Sequence, residues 1–268
     1  GPYAFSRWVV CTLMTPSDII INDVYVDPKN SQHILMATDR SGVLESNDGA
    51  VSFHAVNQGF SERQVSSMVT DPQNPETVYV GVLNDKRFGG VFVSKNAGQD
   101  WSQIGAGLDG NDIFSLSMSP GGTLLAGTNH GIYRLNAGKF ENVSNRLRAK
   151  TRKVTHIRKR HRYVSTVTTY IPDGKIDGSV HGVAFANGMW YAATSDGVYA
   201  SGDSFAWKGG PIQSTDLFTG IAAGGSTVLV NGARILYVSQ DQAKTWQPIT
   251  LPSGWNRVRY VAVDADGG

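Results

Sequence analysis

Short apolar runs alternate with turns rich in Pro, Gly, Asn and Asp along most of the chain. Runs of four to eight residues with no sustained helical period predict β-strands rather than helices. One set of predicted strands is Val24–Asp27, Val65–Asp71, Phe114–Ser119, Val180–Ala186 and Val258–Asp264. A second set, each member following a turn, is His33–Ala37, Thr77–Val82, Thr123–Ala126 and Met189–Ala193. The pattern therefore predicts an all-β fold.

A short phrase recurs about every 40 residues. Its copies are Gly42–Ser46, Gly90–Ser94, Gly131–Leu135, Gly197–Ser201 and the looser Ile235–Ser239. Successive copies start 48, 41, 66 and 38 residues apart. A period near 40 is typical of four-stranded propeller blades, and the one long interval indicates an insertion. The sequence therefore predicts a β-propeller of about six blades, with five counted copies and a sixth blade divided between the two ends.

The two ends leave two interpretations open. Gly1–Trp8 has the pattern of the outer part of a blade, and Val258–Gly268 that of a first strand with its turn. The ends either share one blade and close a ring, or belong to a longer propeller. Under both interpretations Gly1–Gly268 is one propeller domain, and Leu147–Asp177 is an insertion within it.

A second motif follows the recurring serine in four repeats, with the approximate form Ser-x-Asp-x-Gly-x-x-Trp. A short Asp or Asn side chain accepts hydrogen bonds from backbone N–H groups of a turn and so closes a hairpin. We therefore expect these residues to be structural, with the aromatic residue packed beneath the neighbouring blade. The motif residues are Ser46, Asp48 and Phe53; Ser94, Asn96, Gly98 and Trp101; Ser201, Asp203 and Trp207; and Ser239, Asp241 and Trp246.

These motifs resemble the Asp-box, or bacterial neuraminidase repeat, of sialidases, sortilin-type propellers and some xyloglucanases. Together with Asp27–Asn30 and Asp71–Tyr79, they make residues 22–145 and 178–264 resemble the photosystem II assembly and stability factor-like propellers. That resemblance implies a non-enzymatic scaffold that binds a protein partner in the periplasm or outside the cell. It assigns the binding role to no single residue.

Positive charge is concentrated in one short stretch. Nine of the 24 Lys and Arg residues lie between Arg146 and Arg162 with no acid among them, so the remaining 15 bases face 22 acids. Two β-rich runs, Val154–Ile157 and Tyr163–Tyr170, flank the cationic tip Arg158–His161. The sequence therefore predicts a protruding basic β-hairpin on a mildly acidic body.

Two interpretations of this hairpin remain open. It could recognise an anionic partner, such as an acidic protein, a phosphate backbone, a lipid headgroup or an acidic glycan. Alternatively, its like charges only keep a solvated hairpin from aggregating at its edges. The acidic body disfavours nucleic acid, so a protein partner is expected and a glycan is the second choice. The candidate binding residues are Arg152, Lys153, Arg158, Lys159, Arg160 and Arg162.

The enzymatic alternative is a glycoside hydrolase or a carbohydrate-binding propeller. Thr38–Gly42 resembles the Thr-Asp-x-Gly-Gly segment that bears a catalytic Asp in xyloglucan-cleaving propellers, which would make Asp39 catalytic. Similar turns at Thr128–Gly131 and Thr194–Gly197 favour a repeat feature instead. Hydrolysis also needs a second carboxylate. A sialidase-like site is the weaker version, and Trp190 is the expected sugar-facing aromatic residue.

The sequence shows no motif for a disulfide, a metal site, a bound phosphate or another hydrolase class. The single cysteine, Cys11, cannot form an intramolecular disulfide, and no Cys/His cluster has zinc spacing. The chain contains no phosphate-binding glycine loop, no HExxH and no GxSxG. No apolar run approaches the ~20 residues of a spanning helix. The sequence therefore predicts no metal, no cofactor and no membrane span.

Overall fold

The structure is a computed structural model that describes residues 19–59, 64–83, 89–108, 110–159, 161–210, 212, 217–255 and 257–267. Every regular element in these ranges is a β-strand, as the hydrophobic pattern predicts. The chain forms two compact units. One comprises Gly1–Leu124 and Leu135–Phe140, and the other comprises Leu125–Arg134 and Glu141–Gly268.

The first two sheets belong to the first unit, and each has four strands that pair in sequence order. The first sheet contains β1 (Ile21–Asp27), β2 (Asn30–Thr38), β3 (Val43–Ser46) and β4 (His54–Ala55). The second contains β5 (Val65–Asp71), β6 (Asn74–Val82), β7 (Gly90–Ser94) and β8 (Ser102–Gln103). Neighbouring strands are antiparallel, so each sheet is an up-and-down meander.

The division between the units passes through the third sheet. That sheet contains β9 (Ile113–Met118), β10 (Leu124–Thr128), β11 (Gly131–Asn136) and β12 (Lys139–Asn142), again in sequence order. The chain then forms the long strands β13 (Asn145–Arg158) and β14 (His161–Lys175), which pair as an antiparallel hairpin.

The fourth and fifth sheets belong to the second unit. The meander of the fourth contains β15 (Val180–Ala186), β16 (Met189–Thr194), β17 (Gly197–Ser201) and β18 (Ala206–Gly209). The hairpin adds to its outer edge, giving six strands in the order β14-β13-β18-β17-β16-β15. The fifth sheet contains β19 (Phe218–Gly224), β20 (Thr227–Gly232), β21 (Leu236–Ser239) and β22 (Gln247–Pro248), in sequence order. The described residues thus form five sheets with the four-strand meander predicted for blades.

The predicted hairpin is confirmed, and its bounds begin and end two residues earlier than the predicted Leu147–Asp177. The sequence did not indicate how it attaches. Asn145–Leu147 pairs in parallel with Ala206–Lys208, so β13 extends an existing sheet instead of leaving the fold as an isolated loop. The insertion is therefore anchored by backbone hydrogen bonds at its root.

The prediction of a strand at Val258–Asp264 is wrong, because the structure assigns no strand there. A strand needs a hydrogen-bonded neighbour, and the described residues place no following strand beside this segment. Its backbone instead contacts the turn between β20 and β21, where Val258 N–H donates to the Ala233 carbonyl at 3.0 Å. The other half of the predicted split blade, Gly1–Trp8, lies outside the described residues, so the sixth blade stays a prediction.

The first strands of successive sheets lie side by side within each unit. In the first unit the Asn22 amide donates to the Val65 carbonyl at 2.7 Å, and Met68 N–H donates to the Asp23 carboxylate at 2.8 Å. In the second unit, β15 packs so closely on β19 that a Cβ added to Gly182 would lie 2.9 Å from the Ile221 nitrogen. This close approach requires glycine at that position of β15.

Candidate functional site

The β13–β14 hairpin, Asn145–Lys175, is termed the basic arm. β18 lies beside β13 only at Asn145–Leu147. From the pair Arg148–Ile171 to the pair Arg158–His161, eleven residue pairs form a two-stranded ribbon with no further strand beside it among the described residues. At about 3.3 Å per residue, this ribbon is roughly 36 Å long. The arm therefore presents most of its side chains to solvent.

The cations of β13 are divided between the two faces of the ribbon. Side chains alternate across a strand, so Arg148, Lys150 and Arg152 share one face, and all three are exposed. Their cross-strand neighbours on that face include Val167 and Ile171. This face is therefore a row of positive charges with apolar side chains beside it, and it is termed the cationic row.

An aromatic pair stiffens the outer half of the arm. His156 and Tyr163 are cross-strand neighbours, and their rings stack with centroids 4.9 Å apart and planes 13° apart. His156 Nε2 also lies 2.6 Å from the Ser165 hydroxyl. Such cross-strand contacts contribute about 0.2–1 kcal/mol each and favour one register.

The guanidinium of Arg146 holds the root of the arm through a set of contacts that is termed the clasp. Arg146 lies 3.3 Å from both the Asp196 carboxylate and the Tyr199 hydroxyl, and it donates to the Asp173 carbonyl at 3.3 Å. Tyr199 in turn donates to Asp196 at 3.1 Å. The hydrogen bond with Tyr199 is the main reason that the pKa of Arg146 is raised, while burial is the main reason that the pKa of Tyr199 is raised. The clasp ties both strands of the arm to the β16–β17 turn.

A cleft of about 250 Å³ lies at this root, lined in part by Arg146, Arg148, Asp173 and Tyr199. Nearby, the Lys208 ammonium lies 3.8 Å from the centroid of the Tyr170 ring. Cation–π contacts of this kind contribute about 0.5–1 kcal/mol at exposed sites. The root is therefore an ordered polar junction rather than a flexible hinge.

The structure does not gather the predicted binding residues on one surface. Arg152 and Arg158 lie on the face of the cationic row, whereas Lys153 and Arg162 lie on the opposite face. Lys159 occupies the turn with φ of 47°, and the predicted Arg160 lies outside the described residues. Sequence reasoning missed Arg148 and Lys150 because it counted charges near the tip. The regular spacing of two residues from Arg148 to Lys150 and from Lys150 to Arg152 was the signal that could have identified them.

The four repeated turns share one hydrogen-bonding plan. In each, the serine hydroxyl donates to the Asp or Asn side chain and accepts a backbone N–H from three or four residues later. These contacts join Ser46 to Asp48 and Ala50, Ser94 to Asn96 and Gly98, Ser201 to Asp203 and Ser204, and Ser239 to Asp241 and Ala243. Hydrogen bonds from Ser52 and Thr245 lower the pKa of Asp48 and of Asp241, respectively, to about 2.

Two tryptophans from these turns each join their own sheet to the end of the preceding sheet. The Trp101 indole N–H donates to the Val56 carbonyl at 2.8 Å, and the Trp207 indole N–H donates to the Val143 carbonyl at 2.9 Å. Both acceptors follow the last strand of the preceding sheet, and both indoles are buried. Phe53 and Trp246, at the equivalent positions of the other two turns, are only half-buried.

One buried polar cluster carried no sequence signal. Glu45 on β3 is 1% exposed, and its carboxylate lies 2.9 Å from His33 Nε2 and 3.0 Å from His54 Nε2. Gln99 donates to the same carboxylate at 2.7 Å. Buried carboxylates need such partners to offset the loss of hydration. Within the described ranges, no group of three or more His, Cys, Asp or Glu side chains is placed to hold a metal ion.

The Asp39 carboxylate is engaged on both oxygens. Its Oδ1 accepts the Ile20 backbone N–H at 2.9 Å, and its Oδ2 lies 3.2 Å from Arg40 Nε. The side chain is 15% exposed. Asp39 therefore ties its turn to the segment that enters β1, as Asp196 ties the equivalent turn to the arm.

Trp190 does not face a sugar site. It is 4% exposed and packs edge-to-face against Phe185 with centroids 4.8 Å apart, inside the core of the second unit. The expectation of a sugar-facing Trp190 is wrong, because its position on β16 points the indole into the space between sheets.

No family model and no curated protein matches the chain. Solved structures do match. An ancestral GH74 enzyme superposes with a TM-score of 0.65 at 19% identity, covering 92% of this chain and 33% of that one. YCF48 bound to D1 peptide gives 0.54 at 16% identity, covering 87% and 68%. The extracellular domain of the putative hybrid two-component system BT3049 from B. thetaiotaomicron gives 0.61 at 13% identity, covering 92% and 31%.

The fold is a β-propeller. The five meander sheets and their superposition on these structures together establish that architecture. The chain spans about a third of the length of the GH74 enzyme and of the BT3049 domain. At identities below 20%, the likeness shows the fold alone. Among the described residues, the structure contains no helix that could span a membrane.

Proposed function

We propose that this chain is a non-enzymatic propeller scaffold, a single Asp-box-type domain, that binds an acidic protein partner outside the cytoplasm through the basic arm. The observation that carries the proposal is the arm itself. An isolated two-stranded ribbon is only marginally stable in water, yet this one extends eleven pairs beyond its sheet and carries exposed cations on both faces. A partner that covers it would stabilise it and neutralise its charge.

The repeated turns support the Asp-box part of the proposal. All four close on their own backbone through the same serine and Asp or Asn contacts, so their polar atoms are engaged within the turn. In this proposal they have a structural role, like the repeats of sortilin-type propellers. The extracytoplasmic location is supported by propeller neighbours that are extracellular domains of two-component systems.

Peptide binding is supported by one propeller neighbour. YCF48 was solved with D1 peptide bound, so a propeller of this general architecture can bind a peptide. In this chain the basic arm would bind the peptide segment of the partner. Its charge is balanced within the described residues mainly at the root, where Arg146 and Arg148 meet acidic side chains.

The test is site-specific photo-crosslinking in extracts of the native cells. A crosslinker at Thr151, exposed on the arm, should capture one partner protein, while a crosslinker at Val51, 81% exposed in the first unit, should not. Excess unlabelled wild-type protein should compete. A variant in which Asn-Gly replaces Arg148–Ile171 should not compete. Equal competition by the shortened variant would contradict the proposal.

Glycoside hydrolysis is the second candidate, and the GH74 neighbours favour it. It requires a carboxylate free to act beside a second one. The engaged oxygens of Asp39 argue against it. Reducing-sugar release from xyloglucan, β-glucans and sialylated glycans should be absent for both the wild type and Asp39→Asn. Release that disappears only in Asp39→Asn would establish a hydrolase instead.

A further inference from the structure

We infer that the basic arm recognises an extended acidic segment of its partner and takes it up as an additional strand beside β13. This inference rests on the proposed function, because it names the geometry and chemistry of the partner that the arm binds. Three features of the arm carry it: a free backbone edge, the cationic row next to that edge, and the residue spacing along the row.

The free edge belongs to β13. β18 occupies this side of the strand only at Asn145–Leu147, and from Arg148 to Arg158 no described strand lies there. The backbone groups of β13 that point away from β14 therefore have no strand partner in this stretch. Such an edge is a template on which an extended peptide adds by main-chain hydrogen bonds. Lys residues on an edge discourage the addition of a neutral strand, but they favour the addition of an acidic strand.

Charge selects the β13 edge over the β14 edge. β14 carries Arg162 and Lys175 but also the acidic Asp173, whereas the cations of β13 have no acid among them. Directly opposite side chains of neighbouring strands lie about 4.5–5.5 Å apart, and a strand added beyond β14 would lie twice as far from the cationic row. An acidic segment thus gains most beside β13.

Spacing defines the sequence that fits. The side chains of Arg148, Lys150 and Arg152 repeat every second residue, at about 6.6–6.8 Å. Acidic residues at alternate positions of an added strand have the same repeat and the same face. The positions between the cations are Ala149 and Thr151, which are small and offer no charge. The matching segment therefore alternates Asp or Glu with small or β-branched residues over at least three acidic positions.

A polypeptide fits the edge better than other polyanions do. Nucleic acids and sulfated glycans carry the charge, but they have no ladder of N–H and C=O groups to complete a sheet. The exposed apolar side chain of Val167 and the half-buried side chain of Ile171 lie beside the cationic row and favour contact with side chains. The proposal therefore commits to a peptide, and the other polyanions become outcomes of the test.

The test compares how tightly two acetylated nine-residue peptides bind to the full chain at low salt. One has Glu at positions 2, 4, 6 and 8 with Thr between them, and the other has the same composition with the four Glu in one block. The alternating peptide should bind at least tenfold more tightly, measured by fluorescence anisotropy. It should also slow amide hydrogen exchange along Arg148–Arg158 and leave the outer edge of β14 unchanged. Backbone N-methylation at alternate residues of the peptide should abolish binding.

Matched variants separate the cationic row from overall charge. The triple variant Arg148→Gln, Lys150→Gln and Arg152→Gln should lose at least tenfold in affinity. The triple variant Lys153→Gln, Lys159→Gln and Arg162→Gln removes the same charge and should change affinity less than threefold. Circular dichroism checks that both variants fold, and if either does not, the N-methylated peptide still tests strand addition on the wild-type chain.

Several results would overturn the inference. The inference is wrong if the two peptides bind equally, if the two variants lose equal affinity, or if the N-methylated peptide still binds. Each result would show that the arm recognises charge alone. Tighter binding of heparin or duplex DNA, lost in the same triple variant, would make the arm a polyanion site. If the alternating peptide does not bind while crosslinking from Thr151 persists, strand addition is wrong and the scaffold function stands. Loss of both would overturn both proposals.

Discussion

A single side chain closes each repeated turn, and Asp48 shows how. Its Oδ1 accepts the backbone N–H groups of Val51 and Ser52 at 3.0 and 2.9 Å, and its Oδ2 accepts the Ser52 hydroxyl at 2.6 Å. Asp241 makes the same contacts with Lys244 and Thr245. Because all these donors stabilise the ionised form, the pKa of each carboxyl falls to about 2.

The depressed pKa values predict a pH dependence of stability. A carboxyl with a folded pKa of about 2 and an unfolded value near 3.8 contributes stability above about pH 4, and loses it as the pH falls toward 2. The double variant Asp48→Asn and Asp241→Asn should therefore have a lower Tm than the wild type at pH 5, and the difference should shrink toward pH 2. A gap that stays unchanged down to pH 2 would contradict the assignment.

The buried indoles predict unequal costs for one substitution. Trp101→Phe removes the donor to the Val56 carbonyl, which should cost about 1–3 kcal/mol beyond the lost packing. The buried Trp246 indole nitrogen has no hydrogen-bond partner among the described residues, so Trp246→Phe should cost less. Urea unfolding of both variants measures the two free energies. Equal losses would mean that the Trp101 hydrogen bond contributes little.

At the scale of the element, the arm combines a fixed root with an uncovered ribbon. The root is held by parallel pairing with β18 and by the Arg146 clasp, whereas the ribbon beyond it has only its own cross-strand contacts. The root thus sets the direction of the arm. An arm with a fixed direction loses less conformational entropy on binding than a free loop, which favours recognition of an extended partner.

The contacts of Arg146 should affect the local stability of the root of the arm, but hardly the global stability of the chain. Arg146 and Asp196 are both partly exposed, so Arg146→Gln should lower the free energy of unfolding by less than about 1 kcal/mol. Amide hydrogen exchange at Asn145–Ala149 should nevertheless become severalfold faster. Arg148→Gln is the control, because its ion pair with Asp173 is long, at 3.8 Å. Similar acceleration in both variants would show that backbone pairing alone holds the root.

At the scale of the whole molecule, repeats determine how much the sequence predicts. The meander strands and the turns recur, so several copies support each inference, and the strands at Val180–Ala186 and Val65–Asp71 were predicted to the residue. The hairpin occurs once, and its attachment depends on a parallel pairing with Ala206–Lys208 some 60 residues away in sequence. Pairing between residues far apart in the chain leaves no local pattern in the amino-acid sequence. For the same reason the burial of Trp190 was missed, since its neighbours come from other strands.

The segregation of charge gives a final prediction for the whole chain. The net charge is only +2, but removing Arg148–Ile171 removes eight bases and no acid, which leaves −6. If the arm extends freely, the wild type should bind a cation exchanger at pH 7 and elute with salt, because a local patch governs adsorption. The variant with Asn-Gly in place of Arg148–Ile171 should pass through and bind an anion exchanger. Failure of the wild type to bind would mean that acidic groups of the body neutralise the arm, and an arm already neutralised would have no charge to offer a partner.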